Sequence, residues 1–314
     1  MHSLEKECAE LQAAGLIDAP TAARGIALEQ RAVLSVAEEV RVALYASVAG
    51  IATGIGIVLR NNLDRIGPVG LSVALAVVAG GCYASAIHTH RLGRPRSIAG
   101  DYVLLLGALI LSADLGYIES QFHWFGANWS WQLLLLALLH GACAYVFDSR
   151  LLLSVSLASF AGWFGVEANI GSIFDGEAPL RRSGTHSLLC AGFIATVREV
   201  HRRVSTRDFG EVYEHFAANL GFWGALAFCF TAGLRWVGLL VLIALAVLTI
   251  TAGLRRSQET FVVYGVAYAA LGIGSVLAIQ TRDGLTAAVL ALATVIVALV
   301  LLWRLHRRLR AMSP

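Results

Sequence analysis

"DYVLLLGALILSADLGYIESQFHWFGANWSWQLLLLALLHGACAYVFD", residues 101–148, decides the fold. Two apolar runs, 101–118 and 131–148, flank a junction rich in polar and aromatic residues. Each run approaches the ~20 residues that a helix needs to cross the hydrocarbon core of a bilayer. Lipid offers backbone amides no partner, so a spanning segment must satisfy its own hydrogen bonds as a helix. The stretch therefore reads as two membrane helices joined by an interfacial turn.

The same reading extends along the chain. Apolar residues make up 57% of the sequence and charged residues only 14%, where a soluble domain carries about 25% charged residues. Candidate spans recur at 41–60, 69–88, 101–118, 131–148, 151–167, 184–200, 213–233, 236–254, 260–280 and 284–304, of which the third, fifth and sixth are short. The expected fold is all-α, a polytopic transmembrane bundle of about ten spans covering residues 41–314. Placing the N-terminus inside puts 18 of the 24 basic residues on the cytoplasmic side, among them Arg91, Arg150, Arg198, Arg202, Arg203, Arg255, Arg256 and the C-terminal "RLHRRLR". That asymmetry follows the positive-inside rule and favours an even number of spans with both termini cytoplasmic.

Residues 1–40 do not read as a signal peptide, because no uninterrupted apolar core follows a basic start. "SLEKECAELQAAGLID" (3–18) has Leu4, Cys8 and Leu11 on one helical face, and Gly15 is placed to end the helix. Asp18 and Pro20 can start a second helix. The expectation is a cytoplasmic helical hairpin, either a cap on the membrane domain or a docking site at residues 1–36 for a protein partner. No nucleic-acid partner is expected, and the oligomeric state is open.

The common catalytic signatures are missing. The sequence has no P-loop, no His-Glu-x-x-His, no Gly-x-Ser-x-Gly and no dinucleotide fingerprint. "GIATGIG" (50–56) lacks a following Lys-Ser/Thr, and "HTH" (88–90) puts two histidines on different faces of a helix. The five cysteines are scattered singly and read as small buried hydrophobes. No metal site, cofactor or catalytic residue is expected.

Ionisable groups at membrane depth are costly and often functional. Asp114 lies about four residues, roughly 6 Å, inside the third span, and His140 about nine residues, roughly 13 Å, inside the fourth. Direct contact between them then needs a helix shift or a bridging water. Glu119, His123, Glu167 and His186 stand near the exits of spans three to six, and with Asp114 could form a relay or a metal site. The alternative is that these groups sit in the headgroup zone, where water reaches them. Tyr117, Gln121, Trp124, Trp129 and Trp131 complete the outer junction, and the tryptophans fit an aromatic belt at the membrane interface. At the opposite end, Arg198 and Glu214 are spaced to pair across spans six and seven as a charge clamp.

Three stretches carry a family resemblance. "LQAAGLIDAPTA" (11–22), "LGYIESQFHWFGANWSWQLLLLALL" (115–139) and "DFGEVYEHFAANLGFW" (208–223) resemble the bacterial predicted membrane protein family, domain of unknown function 2157. "GDYVLLLGA" (100–108) is similar to a motif of related bacterial membrane proteins. The resemblance extends over about the first two-thirds of the chain and implies several spans in the bacterial inner membrane. It carries over no catalytic residue. The expected function is a non-enzymatic membrane scaffold, sensor or assembly component. The alternative is a proton-coupled small-solute transporter with Asp114 and His140 lining the path.

Overall fold

The computed structural model describes residues 4–29, 40, 42–51, 53, 54, 57, 67–92, 98–128, 130–165, 177–256, 258–281 and 283–312. Among them the chain is helical and contains no strand. It divides into two compact units, residues 1–110 and 111–313.

In the first unit, α1 (Leu4–Ala13) and α2 (Ala19–Glu29) lie in contact. Gly15, at φ +70°, ends the turn after α1 in the left-handed region that glycine adopts without strain. Asp18 starts α2 by accepting the Thr21 amide at 3.0 Å. Cys8 and Ala22 are buried, and a Cβ on Gly25 would lie 3.0 Å from the Cys8 sulfur. A short apolar helix, α3 (Val42–Ile51), precedes α4 (Pro68–Arg91). Pro68 presets the first turn of α4, where its missing N–H leaves no bond unmade. The helix α5 (Ile98–Phe122) begins in this unit, and a Cβ on Gly107 would fall 2.7 Å from Cys82 Cβ.

The second unit contains the rest of α5, then α6 (Trp131–Phe147), α7 (Arg150–Trp163), α8 (Glu177–Val204), α9 (Gly210–Cys229), α10 (Arg235–Arg256), α11 (Glu259–Gln280) and α12 (Gly284–Met312). The helix α9 is central, in contact with α7, α8, α10 and α11. Its inner face supplies Phe222, Ala225, Leu226 and Cys229 to a core completed by Leu242, Ala246 and Val276. Tyr268 stacks on Phe222 with ring centroids 4.7 Å apart. Between hydrocarbon-clad helices there is little hydrophobic gain, so close backbone approach and dispersion supply the cohesion. At the α8–α9 crossing Gly184 and Gly224 face each other, and a Cβ on Gly224 would be 2.8 Å from the Gly184 carbonyl. Gly238 makes the same approach between α10 and α9, 2.7 Å from the Cys229 nitrogen. By contrast, nothing among the described residues lies within 4 Å of a Cβ placed on Gly50 or Gly54.

Among the described residues five helices are long and apolar enough to cross a membrane: Pro68–Arg91, Ile98–Phe122, Arg235–Arg256, Glu259–Gln280 and Gly284–Arg307. The helices α6 and α7, of 17 and 14 residues, are apolar but shorter. The third expected span is not short. As α5 it runs to 25 residues, continuing through the polar segment Glu119–Phe122 because Glu119 ties that end down. In the apolar window of α12 no residue is buried, and Leu285, Val289, Leu292 and Val297 are exposed. A helix that is apolar all round and exposed has its complement in lipid.

Candidate functional site

The polar residues of the α5–α6 junction are placed by one turn. The helix α5 closes at His123, which adopts φ 51° while its amide donates to the Glu119 carbonyl at 2.9 Å. The carboxylate of Glu119, buried to 7% exposure, then accepts the Phe125 amide at 2.9 Å. An isolated buried carboxylate would be costly, so this charge-assisted bond fixes both the group and the turn. A 3-10 turn, Gly126–Asn128, leads to α6. Trp124 and Trp131 are exposed at 72% and 52%, and Phe122 lies beside Trp124 with centroids 6.4 Å apart. Trp131 also meets Trp163 at 6.3 Å. Tyr117 is half-buried, and its hydroxyl has no hydrogen-bond partner among the described residues. Gln121 is exposed; Trp129 and Glu167 lie outside the described residues.

Deeper in the same helices, His140 is fully buried. Its Nε2 is hydrogen-bonded to Ser112 Oγ at 3.0 Å, joining α6 to α5. Asp114, at 3% exposure, sits two residues further along α5. Because α5 continues to Phe122, Asp114 is eight residues from the helix end, roughly 12 Å, which brings it level with His140. The expected difference in height therefore disappears. Ser156 on α7 adds a second fastening by donating to the Ala137 carbonyl at 2.6 Å. His186 on α8 donates from Nδ1 to the Gly165 carbonyl at 3.3 Å, with its ring edge-on to Phe164. No three His, Cys, Asp or Glu side chains among the described residues are placed to share a metal ion.

The richer polar site is at the Arg-rich end. Arg198 on α8 pairs with Glu214 on α9, and Arg256 at the end of α10 takes the same carboxylate at 2.9 and 2.8 Å. Glu199 is shared likewise by Arg202 at 2.7 Å and Arg203 at 3.0 Å. Beside this cluster, Asp148 in the left-handed region and Ser149 form the tight α6–α7 connection, with Ser149 Oγ accepting the Leu152 amide at 3.3 Å. Arg150 pairs with Asp208, and Arg207 with Asp148 at 3.4 Å, so the α6–α7 turn is held to the α8–α9 loop.

Next to that loop, in the last turn of α8, His201 is buried at 7% exposure. Its Nε2 lies 3.0 Å from the Arg207 carbonyl, which can only accept, so Nε2 carries a proton. In the neutral imidazole Nδ1 is then the acceptor for the Tyr145 hydroxyl at 2.8 Å. Tyr145 in turn accepts from Tyr213 at 3.0 Å, giving one directed chain across α9, α6 and α8. Phe209 closes it, edge-on to Tyr145 and stacked on His201. His215 stacks on Phe261 with centroids 4.6 Å apart.

A cleft of about 340 Å³ opens among α8, α9, α10 and the start of α11, its polar lining formed by Arg198, Glu199, Glu214, Arg256, Tyr213 and Gln258 and most of the rest by apolar side chains. Of its polar lining, Arg198 and Glu214 were expected as a pair; Arg256 and Gln258 were not singled out. Charge counting had already placed Arg256 on the same side as Arg198, but their shared carboxylate depends on how α9 and α10 pack. Ser112, Tyr145 and His201 were missed too, since a single Ser, Tyr or His in or beside an apolar run has no spacing signal.

No curated protein and no solved structure matches the chain. The relationship that is found ends just inside α7, short of the "DFGEVYEHFAANLGFW" stretch (208–223) and of the Arg-rich cleft. Over residues 9–153 the chain is similar to the family described as predicted membrane protein (DUF2157), whose model matches that stretch, and with its apolar helices it is a membrane protein.

Proposed function

We propose that the chain is a multi-pass protein of the bacterial inner membrane, with about ten spans and both termini cytoplasmic, acting as a non-enzymatic scaffold, sensor or assembly component. The observation that carries this reading is the role of the polar groups set into the apolar helices. His140 is held by Ser112, Glu119 by the Phe125 amide and His186 by the Gly165 carbonyl. Each joins two neighbouring segments, as a fastening would, whereas a relay needs successive groups within reach of one another. The basic asymmetry of the sequence supports the orientation. Helices α1 and α2 supply the surface for a partner at residues 1–36. Deleting residues 1–36 should abolish a co-purifying protein while the rest of the chain still folds. A full-length chain that carries no partner after mild crosslinking overturns the scaffold reading.

A second reading is proton-coupled transport of a small solute, favoured by Asp114 and His140 both being buried in adjacent helices. Asp114→Asn and His140→Ala should then abolish proton-linked flux in proteoliposomes. Flux that is absent in the wild-type protein, or unchanged in both variants, removes it.

A further inference from the structure

The cleft at the Arg-rich end has two kinds of wall. One is small and apolar, formed by Ala217 on α9 with Leu248 and Ala252 on α10. The other is charged. It holds Arg198 and Arg256, which share Glu214, and Glu199, which Arg202 and Arg203 bind from outside the lining. Over this linked group of four arginines and two glutamates the excess is two positive charges. Arg198 Nε is a buried donor with no hydrogen-bond partner among the described residues, and Arg198 lines the cleft. A buried donor left unpaired is costly, and an incoming anionic oxygen would satisfy it. The position matters equally: α10 is long and apolar enough to span a membrane and ends at Arg256, so the cleft lies where that helix leaves hydrocarbon.

We infer that this cleft binds one anionic phospholipid, its phosphate against Arg198 and Arg256 and the first part of an acyl chain along Ala217, Leu248 and Ala252. Guanidinium forks match phosphate oxygens in pairs, and basic pockets between spans at the membrane surface suit anionic headgroups. The half-exposed Arg256 side chain, at 52%, can turn from Glu214 to the phosphate while Arg198 still holds that carboxylate. A free anion would use the charged wall alone; an amphiphile uses both. The inference needs only the membrane location, not the scaffold reading.

The test uses the delipidated full chain in detergent, with dioleoylphosphatidylglycerol or dioleoylphosphatidylcholine titrated in and adducts read by native mass spectrometry. The phosphatidylglycerol adduct should form at least tenfold more readily. Arg256→Gln should weaken it about five- to tenfold, and Ala252→Phe, which fills the apolar wall without changing charge, should weaken it comparably. Arg150→Gln, in the neighbouring Asp208 cluster, should leave it unchanged. Equal retention of the two lipids, or full retention in Ala252→Phe, overturns the inference. Displacement of phosphatidylglycerol by millimolar inorganic phosphate also overturns it, assigning the site to a free anion. If Arg256→Gln does not fold, Ala252→Phe and the lipid comparison decide.

Discussion

The α8–α9 crossing offers the sharpest quantitative test of the packing. A Cβ on Gly224 would lie 2.8 Å from the Gly184 carbonyl oxygen, 2.7 Å from Leu188 Cγ and 3.0 Å from the Leu188 nitrogen. Carbon atoms in good contact are about 3.5–4.0 Å apart, so the overlap with Leu188 approaches roughly 1 Å. Leu188 can change rotamer, but the oxygen and nitrogen belong to helix backbone and move only if α8 moves. Overpacking of this kind costs about 1–3 kcal/mol. Alanine's better helix propensity returns about 1 kcal/mol. Gly224→Ala should therefore destabilise the protein by up to about 2 kcal/mol. Gly192 is the internal control, because it lies on α8 yet nothing among the described residues stands within 4 Å of its Cβ position. Gly192→Ala should be neutral or stabilise by up to about 1 kcal/mol. Reversible unfolding in mixed micelles, followed by far-ultraviolet circular dichroism, measures both. The reasoning fails if Gly224→Ala is as stable as Gly192→Ala, or more stable.

Three further outcomes follow from the polar contacts. Tyr145→Phe removes the hydroxyl between His201 and Tyr213, leaving two buried groups unpaired, and should cost about 1–3 kcal/mol; Tyr213→Phe should cost less, since Tyr145 still reaches His201, and unfolding curves of the pair give the order. Glu214→Gln should destabilise by about 1.5–3 kcal/mol, because Arg198 and Arg256 lose their common carboxylate, whereas Arg256→Gln should cost less because the Arg198 pair survives; the same unfolding measurement separates them. The Asp283 carboxyl is held below the usual carboxylate range by the Thr286 hydroxyl at 2.6 Å, then by the Thr286 and Leu285 amides. Its folded pKa is depressed, so its contribution is fully present above the unfolded value and is lost as pH falls through the folded one. Thr286→Val should move the Asp283 titration, followed by carbon NMR of the carboxyl, back toward the ordinary value; an unmoved titration curve contradicts the assignment.

The alternation of apolar runs with short charged loops was enough to read helices from residue 68 onward, because a 3.6-residue helix is the spanning solution that polar backbone in lipid allows without closing a barrel. Gly15, Asp18 and Pro20 marked the turn between α1 and α2 for equally local reasons, a left-handed φ and an amide-accepting side chain. Arg198 and Glu214 could be paired because they flank one short connection. The actual end of α5 was not legible, since only the Glu119–Phe125 bond shows that the helix continues through polar residues. That single bond also changes the relative heights of Asp114 and His140.

The sequence by itself thus determined the solvent and the helical class. These follow from composition and spacing, which act residue by residue. Tertiary structure alone decided that His140 meets Ser112, that Tyr145, His201 and Tyr213 form one chain, and that Arg256 joins the Arg198–Glu214 pair to rim a cleft. Those partners are 28 to 68 residues apart in sequence. Their meeting depends on which face each helix presents and how closely its glycines let the neighbours approach, and neither is written in any single segment.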